Sequence, residues 1–153
     1  LPSLDYISLM KATFSLTKDI NEVEKIFRLM VFNVLIGNKD DHSKNFSFIY
    51  RDNKWQLSPA YDLLPSFGFN NNHTTTVNGK GNPSIDDCLE VAKICSFPEK
   101  RARKVLDFVV GAAHVEIPRH CECNEAICCY KRHCECNEAI CPLEVEIATL
   151  RYQ

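Results

Sequence analysis

The stretch NVLIGNKDDHSKNFSFIY, Asn33 to Tyr50, decides how this chain is read. An apolar run stops at Gly37, polar residues continue from Asn38 to Asn45, and the apolar character returns at Phe46. Upstream, Asp19 and Glu22 form a capping pair. Ile20, Val23, Ile26, Phe27, Met30, Val31 and Val34 then recur at steps of three and four. That period predicts a helix of about five turns with one buried face, and Gly37 stands where a helix C-terminus ends. Downstream, Phe46, Phe48 and Tyr50 alternate, Arg51 to Lys54 supplies a turn, and Trp55 and Leu57 complete a short hairpin. The polar stretch is therefore a loop clamped between two apolar elements, which hold its side chains in place.

Further along, Ser66 to Gly81 reads as loop, with an Asn78-Gly79 step that favours a tight turn. Pro83-Ser84 opens a helix to about Cys95, with Asp87 at capping-box distance from Ser84. Ser96 with Glu99 repeats that signature before a last helix carrying Ala102, Val105, Leu106, Val109 and Val110. Residues 1–113 are thus mainly α with a short β-hairpin. A chain of 153 residues is one domain in length, enough to bury roughly two thirds of its unfolded surface. With 45% hydrophobic and 25% charged residues it reads as soluble and globular. A net charge of -2 implies no general pull toward nucleic acid or membranes. No apolar run approaches the roughly 18 residues of a bilayer span, and the expected location is cytoplasmic. The chain opens at Leu1 rather than Met, which reads as a fragment.

Residues 114–153 have a different texture. They hold seven of the nine cysteines and four Lys or Arg against seven Asp or Glu, which leaves 14 against 13 in the first 113 residues. RHCECNEAIC at Arg119 to Cys128 returns letter for letter at Arg132 to Cys141. One reading is zinc binding by His120, Cys121, Cys123 and Cys128, or by His133, Cys134, Cys136 and Cys141. The C-x-C spacing fits zinc less well than paired C-x2-C, and an odd cysteine count argues against a closed disulfide framework. The other reading is an unselected tail. It resembles the translation of short palindromic repeats that disperse through bacterial genomes, an insertion that would overwrite the natural C-terminus.

The loop at Asn38 to Asn45 also carries two readings. As a solvated turn it needs no explanation. As a site, its Asp40 and Asn45 lie five residues apart, the spacing of the protein-kinase catalytic loop, where Asp addresses the acceptor hydroxyl and Asn holds magnesium. Asp62, 22 residues after Asp40 and just past the hairpin, is placed to supply the second carboxylate; its plain alternative is a turn cap between Pro59 and Pro65. A third constellation, a metal-dependent nuclease or phosphohydrolase, would use Asp40, Asp41 and His42 with His73.

LIGNKDDHSKNFSFIY, WQLSPAYDLLPS and HTTTVNGKGNPSIDDCLEVA together resemble the C-terminal lobe of HipA-type serine/threonine kinases, the toxins of bacterial toxin-antitoxin modules. The resemblance covers about residues 1–113. It implies Asp40 as catalytic aspartate, Asn45 and Asp62 as magnesium ligands and cofactor-binding residues, and His42 and Lys44 beside the phosphates. It implies ATP and Mg2+ as cofactors, a protein substrate such as an aminoacyl-tRNA synthetase, and a HipB-like antitoxin as partner. Val77 to Lys80 matches the family too, although Asn-Gly explains it as a plain hairpin turn. Gly37, Gly68, Gly79, Gly81 and Gly111 form no phosphate-covering loop, and no strand-borne lysine precedes the motif. The expectation is that these 153 residues alone phosphorylate nothing.

Overall fold

A computed structural model of the chain describes residues 4–116. In chain order these are β1 (Leu4–Asp5), α1 (Tyr6–Thr17), α2 (Ile20–Ile36), β2 (Phe48–Arg51), β3 (Lys54–Leu57), β4 (Thr75–Thr76), α3 (Ile85–Ile94) and α4 (Glu99–Glu116). Short 3-10 turns occupy Ser43–Asn45 and Phe69–Asn71. The fold is mainly helical, as the periodicity predicts. The cysteine repeat, with both sets of zinc-ligand candidates, lies outside the described residues.

α2 forms the spine. Val23, Ile26, Phe27, Met30 and Val31 are buried along it, and the core is completed by Tyr6, Leu9 and Met10 of α1, Val91 and Ala92 of α3, Phe97 before α4 and Ala102 within it. The Phe27 and Phe97 rings meet at 5.4 Å between centroids. The helix starts on the Asp19 side chain, which accepts from the Asn21 N–H. It stops at Gly37, whose φ of 69° is left-handed, so that the Asn38 N–H turns back to the Asn33 carbonyl at 2.9 Å. Glu22, expected to close the capping box, is turned inward instead: its carboxylate accepts the Leu57 N–H at 2.7 Å and pairs with Lys25 at 2.8 Å. A buried carboxylate has more to gain from a backbone donor left over at a strand end than from its own helix terminus.

The hairpin is antiparallel, pairing Phe48 with Leu57 and Arg51 with Lys54. Asp52 and Asn53 turn it with φ of 54° and 60°, the two left-handed residues that a two-residue turn between twisted strands requires. Two elements escape sequence reading. Helix α1 has a weakly segregated apolar face, and β1 pairs with β4 in parallel over only two residues each, Leu4 with Thr75 and Asp5 with Thr76. The Asn78-Gly79 turn forms as expected between Val77 and Lys80.

Ser96 ends α3 and does not begin α4. It adopts a φ of 54°, its N–H bonds the Lys93 carbonyl at 3.0 Å, and the Phe97 N–H bonds the Ala92 carbonyl at 2.8 Å. That is a Schellman stop, with buried Phe97 and Ala92 as its apolar pair. The start of α3 is the capping box expected: Ser84 Oγ accepts the Asp87 N–H and Asp87 accepts the Ser84 N–H. Burial, with the Asp87 charge, pushes the Cys88 thiol up to about 12, which makes it a core residue without reactive character.

Lys80 meets Asp87 at 2.6 Å. That hydrogen bond first, and then the Ser84 N–H, hold the Asp87 carboxyl at about 2, below the usual ~3.9. A carboxyl depressed in the folded state stabilises the fold above its unfolded pKa, and the contribution disappears as pH falls through the folded one. Asp87→Asn should therefore flatten the fall in stability between about pH 4 and pH 2. Urea midpoints of parent and variant across that range are the measurement that checks it.

Candidate active site

The site is built just beyond the end of α2, where the chain is held by Asn38 and Asp41. Asn38, 2% exposed, donates from Nδ2 to the Asn33 side-chain oxygen at 3.1 Å and to the Asp62 carbonyl at 3.2 Å. Asp41, 1% exposed, turns its carboxylate into the interior. There it accepts the Tyr6 hydroxyl at 3.0 Å, the Thr75 N–H at 3.0 Å and His73 Nδ1 at 3.0 Å. Its carbonyl also takes the Thr75 hydroxyl. Because the partner of His73 Nδ1 is a carboxylate, that nitrogen is the one carrying the proton. Asn33 Nδ2 donates to the Tyr6 oxygen at 3.0 Å. Burial, and after it the Asp41 charge, push the Tyr6 hydroxyl well above its ordinary range, so it remains a donor.

One row of hydrogen bonds therefore runs from Asp41 through Tyr6, Asn33 and Asn38 to the backbone of Asp62. Each member is a buried polar group that needs a partner, and each supplies the next.

With Asp41 turned in, Asp40 is turned out. Its carboxylate is exposed and has no hydrogen-bond partner among the described residues. The 3-10 turn Ser43–Asn45 then brings Asn45 back under it, with Nδ2 donating to the Asp40 carbonyl at 3.1 Å and to Asp62 Oδ2 at 3.3 Å. Asp62 has a φ of 57°, a left-handed conformation that aspartate tolerates better than most residues. Tyr61 bridges to the Lys44 carbonyl at 2.5 Å and to Ser47 Oγ at 2.7 Å, and Phe46 packs edge-on against Tyr6 at 5.8 Å. The loop, the hairpin base and the Asp62 segment are thereby tied to one another.

Of the residues singled out from sequence, Asp40, Asn45 and Asp62 converge. His42 and Lys44 lie on the same turn without joining them: His42 Nδ1 is buried with no hydrogen-bond partner among the described residues, and the Lys44 side chain is exposed. Lys80 is paired with Asp87. The nuclease or phosphohydrolase constellation does not assemble. Asp41 and His73 do meet, but inside the protein and saturated by protein donors, while Asp40 points to solvent; among the described residues no three His, Cys, Asp or Glu side chains form a metal-holding group. Sequence reading missed Tyr6, Asn33, Asn38 and Ser66. The available signal was Asn33, an amide on the apolar side of a buried helix.

Asn45 and Asp62 fit a hard divalent cation, since both offer oxygen donors. Hydrogen bonds from Nδ2 to the Asp40 carbonyl and to Asp62 leave the Asn45 Oδ1 as its free acceptor. Removing the Asp41 side chain would leave the Tyr6 hydroxyl, His73 Nδ1 and the Thr75 N–H without their acceptor, and three buried donors at about 1 kcal/mol or more each cost roughly 3–5 kcal/mol together. Asp41→Ala should lower unfolding free energy by about that amount. Tyr6→Phe, which deletes one link, should cost about 1–3 kcal/mol. Denaturant titration of the two variants checks both.

The HipA-like C-terminal domain family model matches residues 2–117 of this chain. Two Sinorhizobium fredii proteins are similar over shorter segments. "Putative kinase Y4dM" is 49% identical over 49 residues, 31% of this chain and 12% of that protein. "Putative kinase Y4mE" is 40% identical over 48 residues, 31% of this chain and 11% of that protein. A solved HipA chain from Shewanella oneidensis MR-1, in complex with HipB and operator DNA, superposes with a TM-score of 0.58 at 16% identity, over 78% of this chain and 31% of that one. This chain thus spans under a third of that HipA, and the matched segments about an eighth of the curated relatives. By the family match over most of its length and the shared fold, the chain belongs to the HipA-like C-terminal domain family.

Proposed function

We propose that this chain carries the base and the metal ligands of an ATP-dependent phosphoryl-transfer site, acting on a serine or threonine hydroxyl of a protein. The observation that carries this reading is the Asn45 amide, which joins the Asp40 carbonyl at 3.1 Å to the Asp62 carboxylate at 3.3 Å. An aspartate open to solvent, an amide fixed beside it and a second carboxylate from a later segment match the base and metal-ligand parts of a phosphoryl-transfer site. In such chemistry the protein chiefly positions groups and neutralises charge.

Asp40 has an exposed carboxylate at the end of a rigid helix and would accept the proton of the incoming hydroxyl. Asn45 and Asp62 would hold Mg2+, which when bound neutralises the phosphate oxygens of ATP. Asn38 fixes the backbone of Asp62 and so the direction of its carboxylate. By family membership alone, His42 and Lys44 on the same turn would lie beside the phosphates. The substrate class, such as an aminoacyl-tRNA synthetase, and a HipB-like antitoxin partner in a toxin-antitoxin module belong to the same reading, supported by family membership and by the HipA–HipB complex to which the fold is similar.

Mn2+ serves as the probe for the metal ligands. Titrating it into the chain should broaden the amide resonances of Asn45 and Asp62 first, and Asp62→Ala should abolish the effect. Broadening centred elsewhere, or unchanged in that variant, contradicts the assignment. In the full-length protein, Asp40→Asn should reduce phosphoryl transfer by about 100 to 10,000-fold; near-parental turnover would refute the role given to Asp40.

A further inference from the structure

The segment after Asp62 does more than deliver a carboxylate. Ser66 lies four residues further on, and its hydroxyl oxygen accepts two consecutive backbone donors, the Lys39 N–H at 3.0 Å and the Asp40 N–H at 2.9 Å. The same hydroxyl donates to Asn38 Oδ1 at 3.1 Å. Its own N–H bonds the Gly37 carbonyl at 3.1 Å, and Asn38 and Ser66 form a single parallel bridge. One side chain thus satisfies three groups of the loop that presents Asp40. Backbone N–H groups beyond the helix need acceptors from elsewhere in the chain, and an acceptor from a distant segment sets which way that backbone faces.

We infer that Ser66 is a positioning residue for Asp40. It fixes the aspartate relative to the Asn45–Asp62 pair by clamping the Lys39 and Asp40 amides to the segment that carries Asp62. This rests on the phosphoryl-transfer reading above. Asn38 makes the coupling reciprocal, since its two amide atoms contact the Asp62 carbonyl and the Ser66 hydroxyl. A shift in either segment therefore moves the other, and displacements of about 1 Å in a reacting group can cost on the order of 100-fold in rate. Asn45 and Asp62 touch each other without Ser66. Loss of the hydroxyl should therefore disturb catalysis more than metal binding.

The test compares Ser66→Ala, Ser66→Thr, Asp40→Asn and the Ser66→Ala/Asp40→Asn double variant in the full-length protein, with kcat, KM for ATP and Mn2+ affinity as readouts. Ser66→Ala should lower kcat by about 10 to 100-fold, with KM and Mn2+ affinity within about 3-fold of the parent. Ser66→Thr, which keeps the hydroxyl, should restore most of kcat. In the Asp40→Asn background, Ser66→Ala should cost nothing further, because the group it positions is gone. The inference is overturned if Ser66→Ala keeps parental kcat, if its loss is the same with and without Asp40, or if Mn2+ affinity falls as far as kcat. Activity abolished by Asp40→Asn but kept by Ser66→Ala sinks this inference alone. Absence of any Asp40-dependent turnover sinks the phosphoryl-transfer reading and this inference together.

Discussion

A carboxylate withdrawn from water must be met by donors, and the interior of this domain is arranged around that requirement at Asp41. Three donors reach it from three parts of the chain: Tyr6 at the start of α1, His73 in the long loop, and the Thr75 backbone in β4. The last two of these segments have little structure of their own. β4 is two residues long and pairs with a strand of equal length, and a two-residue parallel pair is too short to hold itself together. The buried charge is what brings them to the end of α2.

The consequence for the surface is read at the neighbouring position: Asp41 is held inward by these donors, and Asp40 beside it is exposed. From there the row of hydrogen bonds through Tyr6, Asn33 and Asn38 reaches the Asp62 carbonyl. Exposed Asp40 and Asp62, with half-buried Asn45 between them, thus rest on buried side chains. Preorganisation of this kind is what a site for phosphoryl transfer needs, because its groups must stand in place before charge develops.

Much of the fold was legible because its signals are local. The apolar period of α2, Gly37 as its stop, the Asp52-Asn53 turn and the Ser84–Asp87 box each depend on residues within a few positions. What was illegible is what local rules cannot specify. Glu22 has the spacing of a capping residue, yet a free N–H 35 residues away claims it. Ser96 has the spacing of an N-cap, yet the left-handed stop of α3 uses it first. Asp40 and Asp41 are indistinguishable as letters, and only the distant Tyr6, His73 and Thr75 decide that one is structure and the other is exposed. Asp62 was singled out because the chemistry demanded a second carboxylate, and the structure brings it to Asn45; Asn38 and Ser66 were missed because a residue that only bonds other parts of the chain carries no such demand in the sequence.

A crystal structure of the chain with Mg2+ and a non-hydrolysable ATP analogue tests the central claim, that a buried Asp41 holds an outward Asp40 beside a metal-ready Asn45–Asp62 pair. The account predicts a cation bound through Asn45 Oδ1 and the Asp62 carboxylate, with Asp41 still joined to Tyr6 and His73. A cation ligated by Asp41, or an Asp62 carboxylate turned away from Asn45, would contradict it.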